Sequence, residues 1–339
     1  MEKQPAKRRI EWVDSLKGFA AVLVIISHFW EISKQLYGYV GNENILFLIL
    51  NGITIDYIDI GKIAVTLFFI ISGYLTANTF RKKTRNQFIV DRCKRMYPLY
   101  WFSILLSLIL IGREPIGKII INATMFQQFV GVENIIGAFW TLQIDWIFYI
   151  VCLVLVTFKI FENKKFINLS YYGLLVLSLT MSILRFYTGK NFPIAIGILL
   201  SVTFIGLMLK RNENNEENQK YNLKLNIMLF FITLFPTVML AYTDKFTNIQ
   251  IGCRYYITYV LAFILFFVVK KVIKGRTIFS KLGKYSYSLY LLHPTIGFFI
   301  INKLFSCFEL NIIINMVIAF IITVICSMIS GKYIESIWI

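Results

Sequence analysis

Ten stretches of mainly apolar residues, most of them near the length that crosses a bilayer, recur along the 339 residues. A spanning helix needs about 20 such residues. The stretches run roughly over 15–36, 59–80, 97–112, 137–158, 168–187, 191–210, 225–243, 252–272, 284–304 and 311–333. The third is short. This pattern excludes most soluble folds. Hydrophobic residues make up 58% and charged residues 16%, against about 45–50% and about 25% in soluble domains. The expected fold class is all-α, a polytopic membrane helix bundle of about ten transmembrane helices. No internal repeat and no soluble appendage of domain size is visible, so 1–339 reads as a single membrane-embedded domain. Its clearest polar break starts at Arg211, giving a solvated cytoplasmic loop over about 211–224. The run after Lys7-Arg8-Arg9 holds Ser27-His28 and no small-residue cleavage site follows, so it reads as a retained span.

The net charge is +17, from 35 Lys+Arg against 18 Asp+Glu. Placing the N-terminus in the cytoplasm and alternating puts 25 basic residues in cytoplasmic segments and nine on the other side or in span ends, with Lys17 at a mouth. Cytoplasmic loops of membrane proteins collect Lys and Arg, so the split predicts both termini in the cytoplasm. It also accounts for the charge without nucleic acid. The five cysteines form no Cys-x-x-Cys pair and lie near no His at ligand spacing, so neither a metal site nor a disulfide framework is expected.

Ionisable residues inside a bilayer are costly and mark functional sites. Both histidines of the chain, His28 and His293, lie in apolar surroundings. His28 follows Lys17 by eleven residues, about 16 Å along a helix. Asp14 and Lys17, three apart, share a face. A buried His below a charged mouth suits a general base. "TLFFIISGYL" puts Ser72-Gly73 at the end of the second span, where glycine admits a close backbone or ligand. Arg92 and Arg95 share one helical face, and paired guanidinium groups suit phosphate. Asp145 sits within the fourth span beside Trp140, Trp146 and Tyr149, where an acid needs a partner or water.

In this order and spacing the residues resemble the integral-membrane acyltransferase-3 family of bacterial envelope carbohydrate O-acyltransferases. Asp14, Lys17 and His28 match its opening pattern, and "FFIISGYL" from Phe68 matches its "FFxxSG" segment. Arg92 and Arg95 before "YPLYW" match its Arg-x-x-Arg. "WTLQIDWIFY" from Trp140 and "SYSLYLLHP" from Ser286 match its last two segments. Two positions depart from the pattern. Lys17 stands where Arg is commoner, and Asp145 stands where Glu is usual. The chain also runs only to Ile339, without the hydrolase-like domain many relatives carry, so transfer is expected to be completed by the membrane domain or by a separate protein.

The resemblance implies a multi-pass protein of a bacterial inner or plasma membrane. It would move an acyl group, acetyl above others, from cytoplasmic acyl-CoA to a hydroxyl of an envelope or exopolysaccharide sugar, lipid-linked acceptors included. It implies His28, Asp14, Lys17 and Asp145 as catalytic residues, with His28 either the general base or itself acylated. Arg92, Arg95, Ser72 and Gly73 would meet acyl-CoA, and Trp140, Tyr149 and His293 the carbohydrate. No metal is implied. A carrier that moves a lipid-linked glycan or small solute without chemistry is the alternative, since buried His and Asp also suit transporters. The Arg-x-x-Arg favours the enzyme.

The charge asymmetry generates a topology test. On a cysteine-free background, an impermeant thiol reagent added to intact cells should label Thr188→Cys and spare Gln4→Cys and Asn215→Cys. Labelling at 215 without labelling at 188 would invert the orientation and the side from which a donor enters.

Overall fold

The computed structural model describes residues 10–38, 44–81, 83–214, 220–242, 249–308 and 310–335. Among the described residues every regular element is helical. In chain order the α-helices are α1 (Glu11–Leu36), α2 (Ile45–Asn51), α3 (Ile60–Thr76), α4 (Arg85–Leu110), α5 (Ile116–Ala123), α6 (Trp140–Thr157) and α7 (Lys164–Thr188). They continue as α8 (Ile194–Glu213), α9 (Leu223–Tyr242), α10 (Ile249–Val272), α11 (Ile278–Gly283), α12 (Ser286–Leu292), α13 (Phe298–Phe308) and α14 (Ile312–Ser330). Helices are the natural outcome, because lipid supplies no hydrogen bonds to an open backbone.

Eight segments are long and apolar enough to cross a membrane, and a ninth forms if the bent pair α2–α3 counts as one span. The expected segment 97–112 is the second half of α4. The first half carries Arg85, Asp91, Arg92, Lys94 and Arg95, so the apolar stretch is short. The chain is thus a multi-pass helical membrane protein, as expected.

Helix starts are fixed by local chemistry. Asp59 caps α3 by accepting from the Lys62 amide at 2.8 Å. Thr84 and Gln87 form a reciprocal capping box at α4, as Thr277 and Ser280 do at α11. Between α2 and α3 the chain bends by 51°.

Two backbone crossings set the middle of the bundle. A Cβ on Gly73 would lie 1.8 Å from the Thr203 carbonyl oxygen, and one on Gly206 would lie 2.0 Å from that of Ile70. Helices α3 and α8 therefore touch main chain to main chain, the small-residue packing expected where no hydrophobic drive separates helix from lipid. A Cβ on Gly18 would meet the Phe279 carbonyl at 1.9 Å and one on Gly283 that of Asp14 at 1.8 Å, so α1 and α11 cross the same way. The buried core of α8 runs almost unbroken from Gly197 to Leu209.

One end of the bundle gathers the basic residues. There Trp12 meets Tyr74 and Phe266 edge to face at 5.2 and 5.5 Å, Lys270 and Lys210 both pair with Glu213, and Arg276 pairs with Glu11. The start of α1 and the end of the described chain both come to this end, where Glu335 accepts from Ser288 at 3.0 Å. The termini themselves, 1–9 and 336–339, and residues 215–219 of the expected loop lie outside the described residues.

That loop needs one correction. Helix α8 continues to Glu213, and Arg211 is 1% exposed rather than solvated. Its Nη1 donates to the Phe161 carbonyl at 2.9 Å and the Tyr221 hydroxyl at 3.1 Å, with Glu162 at 3.5 Å. An Arg stem can be buried when its head finds acceptors, and here the head ties the α6–α7 connection to the approach to α9.

The α3–α8 contact makes a direct prediction. Gly73→Val places two methyl groups against a backbone that cannot yield, and overpacking costs typically about 1–3 kcal/mol. The variant should melt well below the parent in a detergent thermal-shift assay. Equal melting would show that α3 and α8 do not lie in main-chain contact.

Candidate functional site

Two cavities lie end to end within the bundle. The smaller, about 130 Å³, opens toward the basic end. Lys17 from α1, Ser72 from α3, Arg92 and Arg95 from α4, and Asp145 and Tyr149 from α6 line it. Three cations thus converge on one hole from two elements. The Arg-x-x-Arg spacing achieves this because three residues make nearly one turn of α4. The Arg92 guanidinium lies 4.6 Å from the Tyr149 ring and 4.9 Å from the Phe88 ring, and its Nη2 reaches Thr76 Oγ1 at 3.4 Å. This stacking on two aromatic faces fixes the planar head without neutralising it.

Ser72 donates to Asp145 Oδ1 at 3.0 Å. The carboxylate therefore belongs to the basic cavity, where Arg92 and Arg95 also lie. Lys17 and Asp14 approach at 3.8 Å, one turn apart on α1. Lys17 reaches the cavity wall, whereas Asp14 is not among the lining residues, and its carbonyl packs against Gly283. Gly73 also stands apart from the cavity. Its open side is filled by the α8 backbone, so the close approach expected at this glycine is made by another helix.

The larger cavity, about 560 Å³, holds His28, Glu31, Gln35, Asp59, Lys62, Trp140, Tyr242 and Tyr259 among its lining residues. Its position follows from α1: Lys17 and His28 lie on one helix, about three turns apart. His28 Nδ1 lies 3.4 Å from Glu31 Oε2, and the two side chains are 40% and 42% exposed. Since a carboxylate only accepts, this contact makes Nδ1 the donor and leaves Nε2 as the basic nitrogen. The carboxylate beside the imidazole is Glu31, not Asp14 or Asp145. Its signal was present in the sequence as His-x-x-Glu, an i,i+3 pair on one face.

His293 lines neither cavity. Fully buried, it stacks on His28 with ring centroids 5.4 Å apart and planes 18° from parallel, and its Nδ1 contacts the Leu289 carbonyl at 3.1 Å. It is a wall behind His28. Trp140 lines the histidine cavity and Tyr149 the basic one, so these two aromatics of the "WTLQIDWIFY" segment serve different chambers.

Asp59 and Lys62 are two further polar lining residues that the sequence reading passed over. Asp59 lies 4.0 Å from Arg254, and the Lys62 ammonium sits 3.3 Å from the centre of the Tyr255 ring. Their signal was a charged pair at the opening of an apolar span.

The arrangement is one of a mouth lined by three cations and, beyond it, a larger chamber that holds an imidazole beside a carboxylate. No curated protein and no solved structure matches the chain. A match to the family described as acyltransferase domain covers residues 10–332, nearly all of it, and the chain therefore belongs to the acyltransferase-3 family of membrane acyltransferases.

Proposed function

We propose that this membrane acyltransferase takes its acyl group, acetyl, from acyl-CoA entering at the basic end, which faces the cytoplasm, and transfers it to a hydroxyl of an envelope carbohydrate held in the histidine cavity. The observation that carries this reading is the pairing of the two chambers: three convergent cations in one and an imidazole with a carboxylate partner in the next.

Lys17, Arg92 and Arg95 bind the phosphates of coenzyme A, with Arg92 held in register by Tyr149 and Phe88. Asp145 and Ser72 lie further along the same wall, suited to the polar amides of the pantetheine arm. In the larger chamber Trp140 offers a flat apolar face to a sugar ring, and Gln35, Asp59 and Lys62 offer hydrogen bonds to its hydroxyls.

His28 Nε2 removes the proton of the attacking hydroxyl while Glu31 holds the ring and stabilises its charged form. The hydroxyl oxygen forms a bond to the thioester carbonyl carbon, the carbon–sulfur bond breaks, and the proton on His28 passes to the departing thiolate. The products are an O-acyl ester and free coenzyme A, with no other reactant.

A positioned base contributes about 10²–10⁴-fold. His28→Gln keeps hydrogen bonding but cannot take up a proton near neutral pH, so transfer of label from acetyl-CoA in membranes with matched protein levels should fall by that factor. Glu31→Gln should lower kcat with little change in donor KM, because it acts through the ring. Near-normal transfer by His28→Gln would remove the general-base role.

Arg92→Ala and Arg95→Ala should instead raise the donor KM. Losing one charge-assisted contact costs about 1.5–3 kcal/mol. Unchanged donor KM in both variants would leave these arginines as loop charges alone.

A further inference from the structure

We infer that Val65 and Tyr290 form a partition between the two chambers and that the gap they leave sets the breadth of acyl group the protein transfers. This rests on the reading above that donor and acceptor occupy separate chambers.

Val65 and Tyr290 are the two residues that line both cavities. Val65 comes from α3, the helix that also supplies Phe68 and Ser72 to the basic chamber. Tyr290 comes from α12, three residues before the His293 ring that stacks on His28. A thioester that starts among the cations and ends beside His28 must therefore pass this pair.

Tyr290 is held firmly. Its hydroxyl donates to the Ala138 carbonyl at 2.8 Å and shares a 2.6 Å hydrogen bond with Thr141 Oγ1, which ties α12 to the start of α6. Phe68 meets its ring edge to face at 6.1 Å, and His293 flanks it at 5.9 Å. The ring is thus braced by α3 on one side, by its own helix on the other and by α6 at its tip. Val65, which lines the same two cavities, is β-branched and has little rotamer freedom in a helix.

Walls of this kind discriminate by single methylene groups. An apolar pocket distinguishes chains differing by one methylene by about 10–200-fold. A small acyl group brings its carbonyl carbon past Val65 to the histidine chamber. A branched one, broader than the acetyl methyl, meets Phe68 or the Tyr290 ring first and stalls with its carbonyl on the donor side. Coenzyme A and the cations that hold it are the same for both, so selection would appear in the acyl chain and not in the donor's phosphate contacts.

The experiment compares acetyl-CoA with isobutyryl-CoA, each labelled in the acyl group, in membranes carrying matched amounts of each variant. The readout is label recovered in base-labile ester material. Val65→Ala widens the gap and should raise the isobutyryl-to-acetyl transfer ratio by about tenfold, and Val65→Leu should lower it. Tyr290→Phe, freed from Ala138 and Thr141, should raise the ratio as well. Either Val65 variant suffices if the other does not accumulate. A ratio within twofold of the parent's in the accumulating Val65 variants, with transfer intact, would overturn the partition and leave the donor–acceptor reading standing. No transfer from either thioester by the parent protein would defeat that reading, and the partition with it.

Discussion

Main-chain contact between helices is the constraint on which the site depends. Helix α1 carries both Lys17 and His28, and it is fixed by Gly18 and Gly283 pressing against the backbone of α11 and α1 respectively. Helix α3 carries Val65, Phe68 and Ser72, and it is fixed by Gly73 and Gly206 against α8. In lipid no hydrophobic drive presses two apolar helices together, so close packing of small residues must do so. Once these crossings are set, the face of α1 that bears Lys17 and His28 and the face of α3 that bears Ser72 have their positions along the membrane normal. The chambers are what the remaining helices leave between them.

A second consequence is a separation of charge along one axis. Lys17 of the basic chamber and His28 of the His28–Glu31 pair are about three helical turns apart on α1. A donor with phosphates at one end and a thioester at the other is long enough in kind to use both. Charged groups in a bilayer interior are expensive unless paired or wet. Here Asp145 is bonded to Ser72, Glu31 faces His28, and Arg92 lies over two rings. Each cost is offset locally, so the chambers keep their polarity without unravelling the spans.

Much of this was legible in the sequence, for physical reasons. Apolar runs of bilayer length gave the spans, and Lys17, Arg92 and Arg95 met in one cavity because their spacing puts them on common faces. What spacing cannot show is which partner lies across a helix interface. Gly73 was read beside Ser72 as a ligand position, yet adjacent residues on a helix point about 100° apart, and only Ser72 faces the chamber. Asp145 was equally readable as a partner for His28 or for the acceptor, and the register of α6 against α3 pairs it with Ser72. Arg211 looked solvated because its neighbours in sequence are polar, while its neighbours in space are Phe161, Glu162 and Tyr221. Glu31 was within reach of local reasoning, since its tie to His28 is a contact inside one turn.

The unequal sizes of the chambers fit the separate demands on them. A thioester is open to attack by any water that reaches its carbonyl, and excluding water from the reacting group suppresses such side reactions. A sugar acceptor needs the opposite, a roomy and polar chamber in which hydroxyls exchange water for protein groups. A single continuous channel through the bundle would serve neither, for it would wet the donor and open a path for ions. The braced ring of Tyr290, set between about 130 Å³ on the basic side and about 560 Å³ on the histidine side, meets both demands. On the proposed reading, the acyl carbonyl rather than water or solute is the group that crosses.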